Sequence, residues 1–152
     1  SGWFGDRIDF NDFDAVVKTN LNGPLNTVRA MLRHFGKEGG AIVNIGAVVG
    51  FRGFAGDAAY GSSKMALAGL TQVLAVELAR RAIRVNLVIP GFVSTEMTAE
   101  IPANARERLH KKIPLGRQGT PEEIAEVIWW VAQSTYMTGS TVATDGGLMC
   151  GL

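Results

Sequence analysis

Cysteine is nearly absent: Cys150 is the only one in 152 residues, so no disulfide forms within the chain, and a reducing, cytoplasmic compartment is expected. Histidine is scarce as well, with His34 and His110 far apart, and no Cys/His spacing offers a metal site. An excess of either charge is also missing. Lys and Arg number 15 against 14 Asp and Glu, which gives a nucleic-acid role no electrostatic support. No apolar run approaches the roughly 18 residues that span a bilayer. The N-terminal SGWFGDRIDF lacks the charged-then-apolar order of a signal peptide. A soluble chain with neither a nucleic-acid nor a membrane partner is expected. What is present is globular material: 47% hydrophobic and 19% charged residues, read as one domain over 1–152 with a real core. The 19 glycines fall between periodic segments as turn punctuation rather than in a repeat.

Residues 11–35 place Phe13, Val16, Val17, Leu21, Val28, Met31 and Leu32 at helical spacing, with Asn11 or Asp12 as N-cap. Pro24 interrupts this helix. A proline has no N–H for the carbonyl four residues back, so the Asn20 carbonyl is left free for water or another donor. GKEGG closes the helix, and AIVNI at 41–45 reads as a strand buried on both faces, followed by a Gly-rich loop. A second helix over 58–81 carries Tyr60, Lys64, Leu67, Leu70, Leu74 and Leu78 along one side. RVNLVIP at 84–90 is another strand, and 99–112 is weakly amphipathic, a helix or lid. TPEE at 120–123 starts a third helix, with Thr120 as N-cap, Pro121 next and Glu123 completing a capping box. STVATDGG at 140–147 closes with a strand and a turn. Strands alternating with long crossovers predict an α/β fold with a parallel sheet, half of a doubly wound Rossmann-like domain.

Tyr60 and Lys64 stand one helical turn apart on the same face. A free phenol, with a pKa of about 10, is a poor acid–base group near neutrality, and an adjacent ammonium favours its ionised form. Such a pair arises by chance on many helices. Its place here, after a strand and its Gly-rich loop, is where open α/β sheets put their ligands.

TNLNG at 19–23, IVNIGAVVG at 42–50, YGSSK at 60–64, RVNLVIPGFVSTEM at 84–97, IPLGRQGTPEEIA at 113–125 and TGSTVATDGG at 138–147 together resemble the short-chain dehydrogenase/reductase family. The resemblance covers essentially the whole chain and is nearest to the 3-oxoacyl-acyl-carrier-protein reductases. It implies an NADP- or NAD-dependent reduction of a small-molecule carbonyl, with NADPH favoured, in a homotetramer built on the long helices and the C-terminal LMCGL. By the same resemblance Tyr60 protonates the substrate carbonyl and also binds the cofactor, and Lys64 lowers the Tyr60 pKa and binds the nicotinamide ribose. Asn20 holds a relay water through its carbonyl. Pro90, Gly91, Val93 and Thr95 form the loop on the nicotinamide. Asn44 and Asn86 are read as structural.

Two departures stand against that pattern. The family's catalytic Ser falls on Ala47, whose methyl donates no hydrogen bond. Losing one oxyanion donor costs on the order of 100- to 1,000-fold in rate. Ser62 and Ser63 lie inside the Tyr–Lys turn and offer no substitute. Ala47 is either natural, marking a degenerate paralogue, or an introduced change, and the intact Asn20, Tyr60 and Lys64 tilt the reading to the second. The family's Gly-rich fingerprint and cofactor-choosing residue are also missing, so about 90 further residues are expected upstream at ~30 per βαβ unit. The alternative reading is a non-catalytic cofactor-binding or partner subunit. Trp129 and Trp130 are read as packing residues on a buried helix or at a subunit interface. Arg80, Arg81 and Arg84 form a solvated helix end or a docking patch for acidic acyl carrier protein. Met97, Ile101 and Leu109 either line an acyl pocket or fold the lid onto the body.

Overall fold

The computed structural model describes residues 9–150, with the side chain of Met97 outside that description. Three parallel strands, β1 (Gly40–Ile45), β2 (Ile83–Pro90) and β3 (Thr141–Thr144), lie in the order β1-β2-β3. Between β1 and β2 run α3 (Val48–Phe51) and α4 (Ala58–Leu78); between β2 and β3 run α5 (Glu96–Ala99), α6 (Ala103–His110) and α7 (Pro121–Gln133). This is the α/β, Rossmann-like arrangement that the alternation predicts.

The core is organised by β2, in which Val85, Leu87, Val88 and Ile89 are wholly buried. Side chains alternate across a strand, so Ile83, Val85, Leu87 and Ile89 all face one side, towards α4. Ile83 and Val85 pack with Val28, Leu74, Ala75 and Leu78, while Leu87 and Ile89 pack with Val48, Leu67 and Ala68. Each such large apolar side chain contributes about 1.5–3 kcal/mol of burial, and Ala68 and Ala75 let α4 lie close on the strand. Two polar groups fall in the buried stripe of α4, and each has a partner. Asn44 Nδ2 donates to Thr71 Oγ1 at 2.9 Å, tying β1 to α4, and Asn20 Nδ2 donates to Ser63 Oγ at 3.1 Å. Asn86 is structural in the same way: Nδ2 donates to the Met137 carbonyl at 2.8 Å and Oδ1 accepts the Ser140 N–H at 3.1 Å.

Several expectations are corrected. The first helix begins at Phe10 with Asp9 as its cap, because the Asp9 carboxylate accepts the Asn11 N–H. It is not one helix. α1 (Phe10–Val17) passes through a π-helical turn at Lys18–Asn22 into α2 (Gly23–Met31), and the Gly23 N–H bonds the Lys18 carbonyl five residues back. A π-turn absorbs the register break that Pro24 imposes. β1 is not buried on both faces: only Asn44 in it is buried, and its edge away from β2 carries no strand among the described residues. The Gly-rich segment after β1 includes the helical turn α3. The 99–112 segment holds the last residue of α5 and then α6, with Pro102 at the N-cap position between them.

Trp129 and Trp130 are 67% and 56% exposed, so neither packs in this core; α7 turns Ile124 and Val131 inward instead. Arg84 is no solvated end. Its guanidinium donates to the carbonyls of Ser134 at 2.6 Å and Ala132 at 2.5 Å, closing the carboxyl end of α7, and Arg81 donates to the Leu32 carbonyl at 2.7 Å. No described helix is long and apolar enough to cross a membrane. Gly39 is required where it stands: at φ +72° an added Cβ would meet the Ala82 carbonyl oxygen at 2.0 Å, where the chain entering β1 runs beside the one entering β2.

Candidate active site

The carboxyl end of β1, Ile45, lies opposite Val88, two residues before the end of β2, so the loops that leave the two strands start near one another. A cleft of about 360 Å³ lies between those loops. Ala47, Tyr60, Pro90, Gly91, Val93 and Thr95 all line it, which brings six of the eight sequence-predicted site residues to one place. Gly91 is fixed by packing, since a Cβ there would meet Asp145 Cα at 2.6 Å. Its N–H donates to the Thr144 carbonyl at 3.1 Å.

Lys64 and Asn20 lie on an adjoining open groove of about 520 Å³ that runs along the free edge of β1. Lys64 Nζ donates to the Ile45 carbonyl at 3.1 Å and stands 5.6 Å from the centre of the Tyr60 ring. Asn20 is held against α4 through Ser63, whose hydroxyl donates in turn to the Tyr60 carbonyl at 2.8 Å. Asn20 therefore touches the backbone of the tyrosine turn through one intermediary. Ser62 is occupied at the Ala58 and Ala59 carbonyls, so neither serine is free to replace a hydroxyl at position 47.

The electrostatics differ from the sequence expectation. The Tyr60 phenol is pushed above its ordinary value, first by burial and then by the Asp57 carboxylate, while burial lowers the Lys64 ammonium. Lys64 does not lower the phenol because its charge sits over the ring face, bonded to a carbonyl, while Asp57 lines the cleft together with Tyr60. The phenol is thus held in its protonated, proton-giving form. The motif reading passes over Asp57, although it stands three residues before Tyr60, a spacing that shares a helix face. Asp57→Asn, in a Tyr136→Phe background that leaves Tyr60 as the only tyrosine of these 152 residues, is expected to move the phenol's ultraviolet titration to lower pH. An unmoved or upward titration would show that burial alone sets it.

Apolar walls complete the cleft: Phe54, Phe92, Leu109 and Leu148 line it with Val48. Leu109 is thereby placed as the acyl-pocket reading requires, and Ile101 does not line the cleft. The Met97 side chain lies outside the described residues. A phenol, an ammonium one turn behind it and an apolar wall can bind a carbonyl compound and give it a proton. Ala47 brings only a methyl, from an extended backbone at φ −160° and ψ 149°. The Val93 N–H has no partner among the described residues, a donor suited to an amide or phosphate acceptor.

Residues 4–149 match the family model described as enoyl-(acyl carrier protein) reductase. The 3-oxoacyl-[acyl-carrier-protein] reductase FabG of Thermotoga maritima is 44% identical over 146 residues, which is 94% of this chain and 59% of that protein. Carbonyl reductase family member 4 of Danio rerio is 47% identical over 142 residues, with coverage of 93% and 59%. A gluconate 5-dehydrogenase from Burkholderia cenocepacia, solved in complex with NADP and tartrate, superposes with a TM-score of 0.91 at 30% identity, over 97% of this chain and 60% of that one. The chain thus spans about three-fifths of the length of these relatives. With its parallel sheet and these matches, the chain belongs to the short-chain dehydrogenase/reductase family.

Proposed function

We propose that the whole protein is an NAD(P)H-dependent carbonyl reductase acting on 3-oxoacyl thioesters, and that residues 1–152 carry its catalytic and substrate-binding part as one domain. The observation that carries this reading is the convergence of Tyr60, Ala47 and the Pro90–Thr95 loop on one apolar cleft with Lys64 one turn behind. The names of the relatives, 3-oxoacyl-[acyl-carrier-protein] reductase and carbonyl reductase, support the substrate class.

The residues fit a nicotinamide dinucleotide. Lys64 would hold the ribose, and Val93 and Thr95 would take the carboxamide and phosphate side, with the unpartnered Val93 N–H as a ready donor. The bound dinucleotide supplies the hydride. Tyr60, its phenol protonated at neutral pH, gives its proton to the substrate oxygen as the carbonyl is reduced. Asn20 contributes the carbonyl that Pro24 cannot bond, in the wide π-turn, as a place for water in the proton path. The acyl chain lies along Phe54, Phe92, Leu109 and Leu148. With Ala47 the oxyanion lacks one donor, so turnover is slow. NADPH rather than NADH, a cytoplasmic location and docking of acyl carrier protein belong to the same reading. A homotetramer does too, supported by Met65, Val73 and Val76 exposed along α4 and by the two tryptophans on α7.

Ala47 also favours a second reading, a non-catalytic subunit that binds dinucleotide or a partner. Oxidation of NADPH and NADH by the whole protein with an acetoacetyl thioester separates the two. Slow but thioester-dependent oxidation is expected, and dinucleotide binding with no oxidation at any enzyme concentration selects the second reading.

A further inference from the structure

We propose that Arg117 and Glu123, which lie outside the cleft, are positioning residues for the Pro90–Thr95 loop and, through it, for the dinucleotide; only the step from loop to dinucleotide rests on the function proposed above. The two side chains form a bidentate pair, Arg117 Nη1 to Glu123 Oε2 at 2.9 Å and Nη2 to Oε1 at 2.7 Å. Glu123 Oε2 also accepts the Thr120 N–H at 2.9 Å, and the Thr120 hydroxyl accepts the Glu123 N–H at 3.3 Å. The segment between them is therefore bracketed at both ends against the first turn of α7.

Gly119, inside that bracket, is the residue that meets the loop. Its N–H donates to the Phe92 carbonyl at 2.9 Å, its carbonyl accepts the Ser94 N–H at 2.9 Å, and it forms a parallel bridge with Val93. Thr98 Oγ1 holds the Val93 carbonyl from the other side at 2.7 Å. Beside these contacts lies a cavity of about 180 Å³, lined by Phe92, Val93, Arg117, Gly119 and Glu123. Val93 is thus held on both flanks by hydrogen bonds to one glycine and at its carbonyl by Thr98, and that glycine lies between the Arg117–Glu123 pair and the Thr120 capping bonds. Arg117 and then the Thr120 N–H hold the Glu123 carboxyl down to about 2, so the bracket stays charged across ordinary pH and must be opened by substitution.

Arg117→Ala in the whole protein tests both steps. Hydrogen exchange at the Gly119 and Ser94 amides is expected to accelerate, while the Leu87 amide, bonded to the Ser140 carbonyl, keeps its protection. The Kd of NADPH, titrated by its fluorescence, is expected to rise roughly two- to fivefold, the size of one lost ion contact. The rise should appear in the KM for NADPH more than in kcat, and Arg117→Lys, which keeps the charge and loses the fork, should restore part of it. Unchanged exchange at Gly119 and Ser94, with or without a lower Tm, overturns the bracket. Faster exchange with an unchanged Kd overturns the link to the dinucleotide. Failure of the parent protein to bind either dinucleotide defeats the proposed function instead, and the exchange measurement still decides the bracket.

Discussion

Ala47→Ser is expected to raise the rate of thioester reduction on the order of 100- to 1,000-fold, the worth of one restored oxyanion donor. The backbone is already in place. Position 47 is extended, lines the cleft beside Tyr60, and lies two residues past the end of β1, after Gly46, whose N–H is fixed to the Val88 carbonyl at 2.8 Å. Only the oxygen is lacking. Position 47 is also the N-cap of α3, where Ala makes no side-chain bond. A serine there can accept one of the first helical N–H groups while donating its own hydrogen into the cleft, so about 1 kcal/mol of added stability is expected as well. Steady-state kinetics and thermal melting of the same pair of proteins read both effects. Improved melting with no gain in rate would assign the introduced hydroxyl to the cap and leave the protein a binding subunit.

Tyr60→Phe is expected to reduce the remaining activity by about 100- to 10,000-fold, the range for loss of a general acid. The ring keeps its packing, so dinucleotide binding and melting should change little, and the loss should lie in kcat. The pH profile gives a second check. Burial and Asp57 raise the phenol's pKa, so the protonated donor is present from neutral pH up to and beyond the ordinary phenol value. Reduction then declines as pH rises through that raised value, and Asp57→Asn brings the decline to lower pH. Full activity in the Tyr60→Phe variant would remove Tyr60 from the mechanism.

Most of this site is legible in the sequence because its chemistry is carried by residue types at fixed spacings. Tyr60 and Lys64 share a helical turn by arithmetic alone, and Pro24 announces a break in hydrogen bonding that the structure meets with a π-turn. What stays hidden depends on partners distant in sequence. Ser63 and Thr71 look like ordinary helix residues until Asn20 and Asn44 are seen bonded to them across 43 and 27 residues. Arg84 reads as a surface charge until the end of α7 arrives 50 residues later. The expected effect of Lys64 on Tyr60 fails for a related reason: spacing places two side chains on one face, but a third group, the Ile45 carbonyl, decides where the ammonium points. Hydrophobicity marks Trp129 and Trp130 as packing residues, and α7 turns them outward because Ile124 and Val131 already fill the inner side.

Among the described residues, the edge of β1 away from β2 has no strand partner, and the groove beside it is where two of the site residues lie. Exposed main-chain N–H and C=O groups on a parallel strand are a template for another strand, and the groove beside this one holds both Asn20 and Lys64. Any segment that completes the sheet there also covers Asn20 and Lys64. Light scattering of these 152 residues alone would report whether that edge pairs with copies of itself.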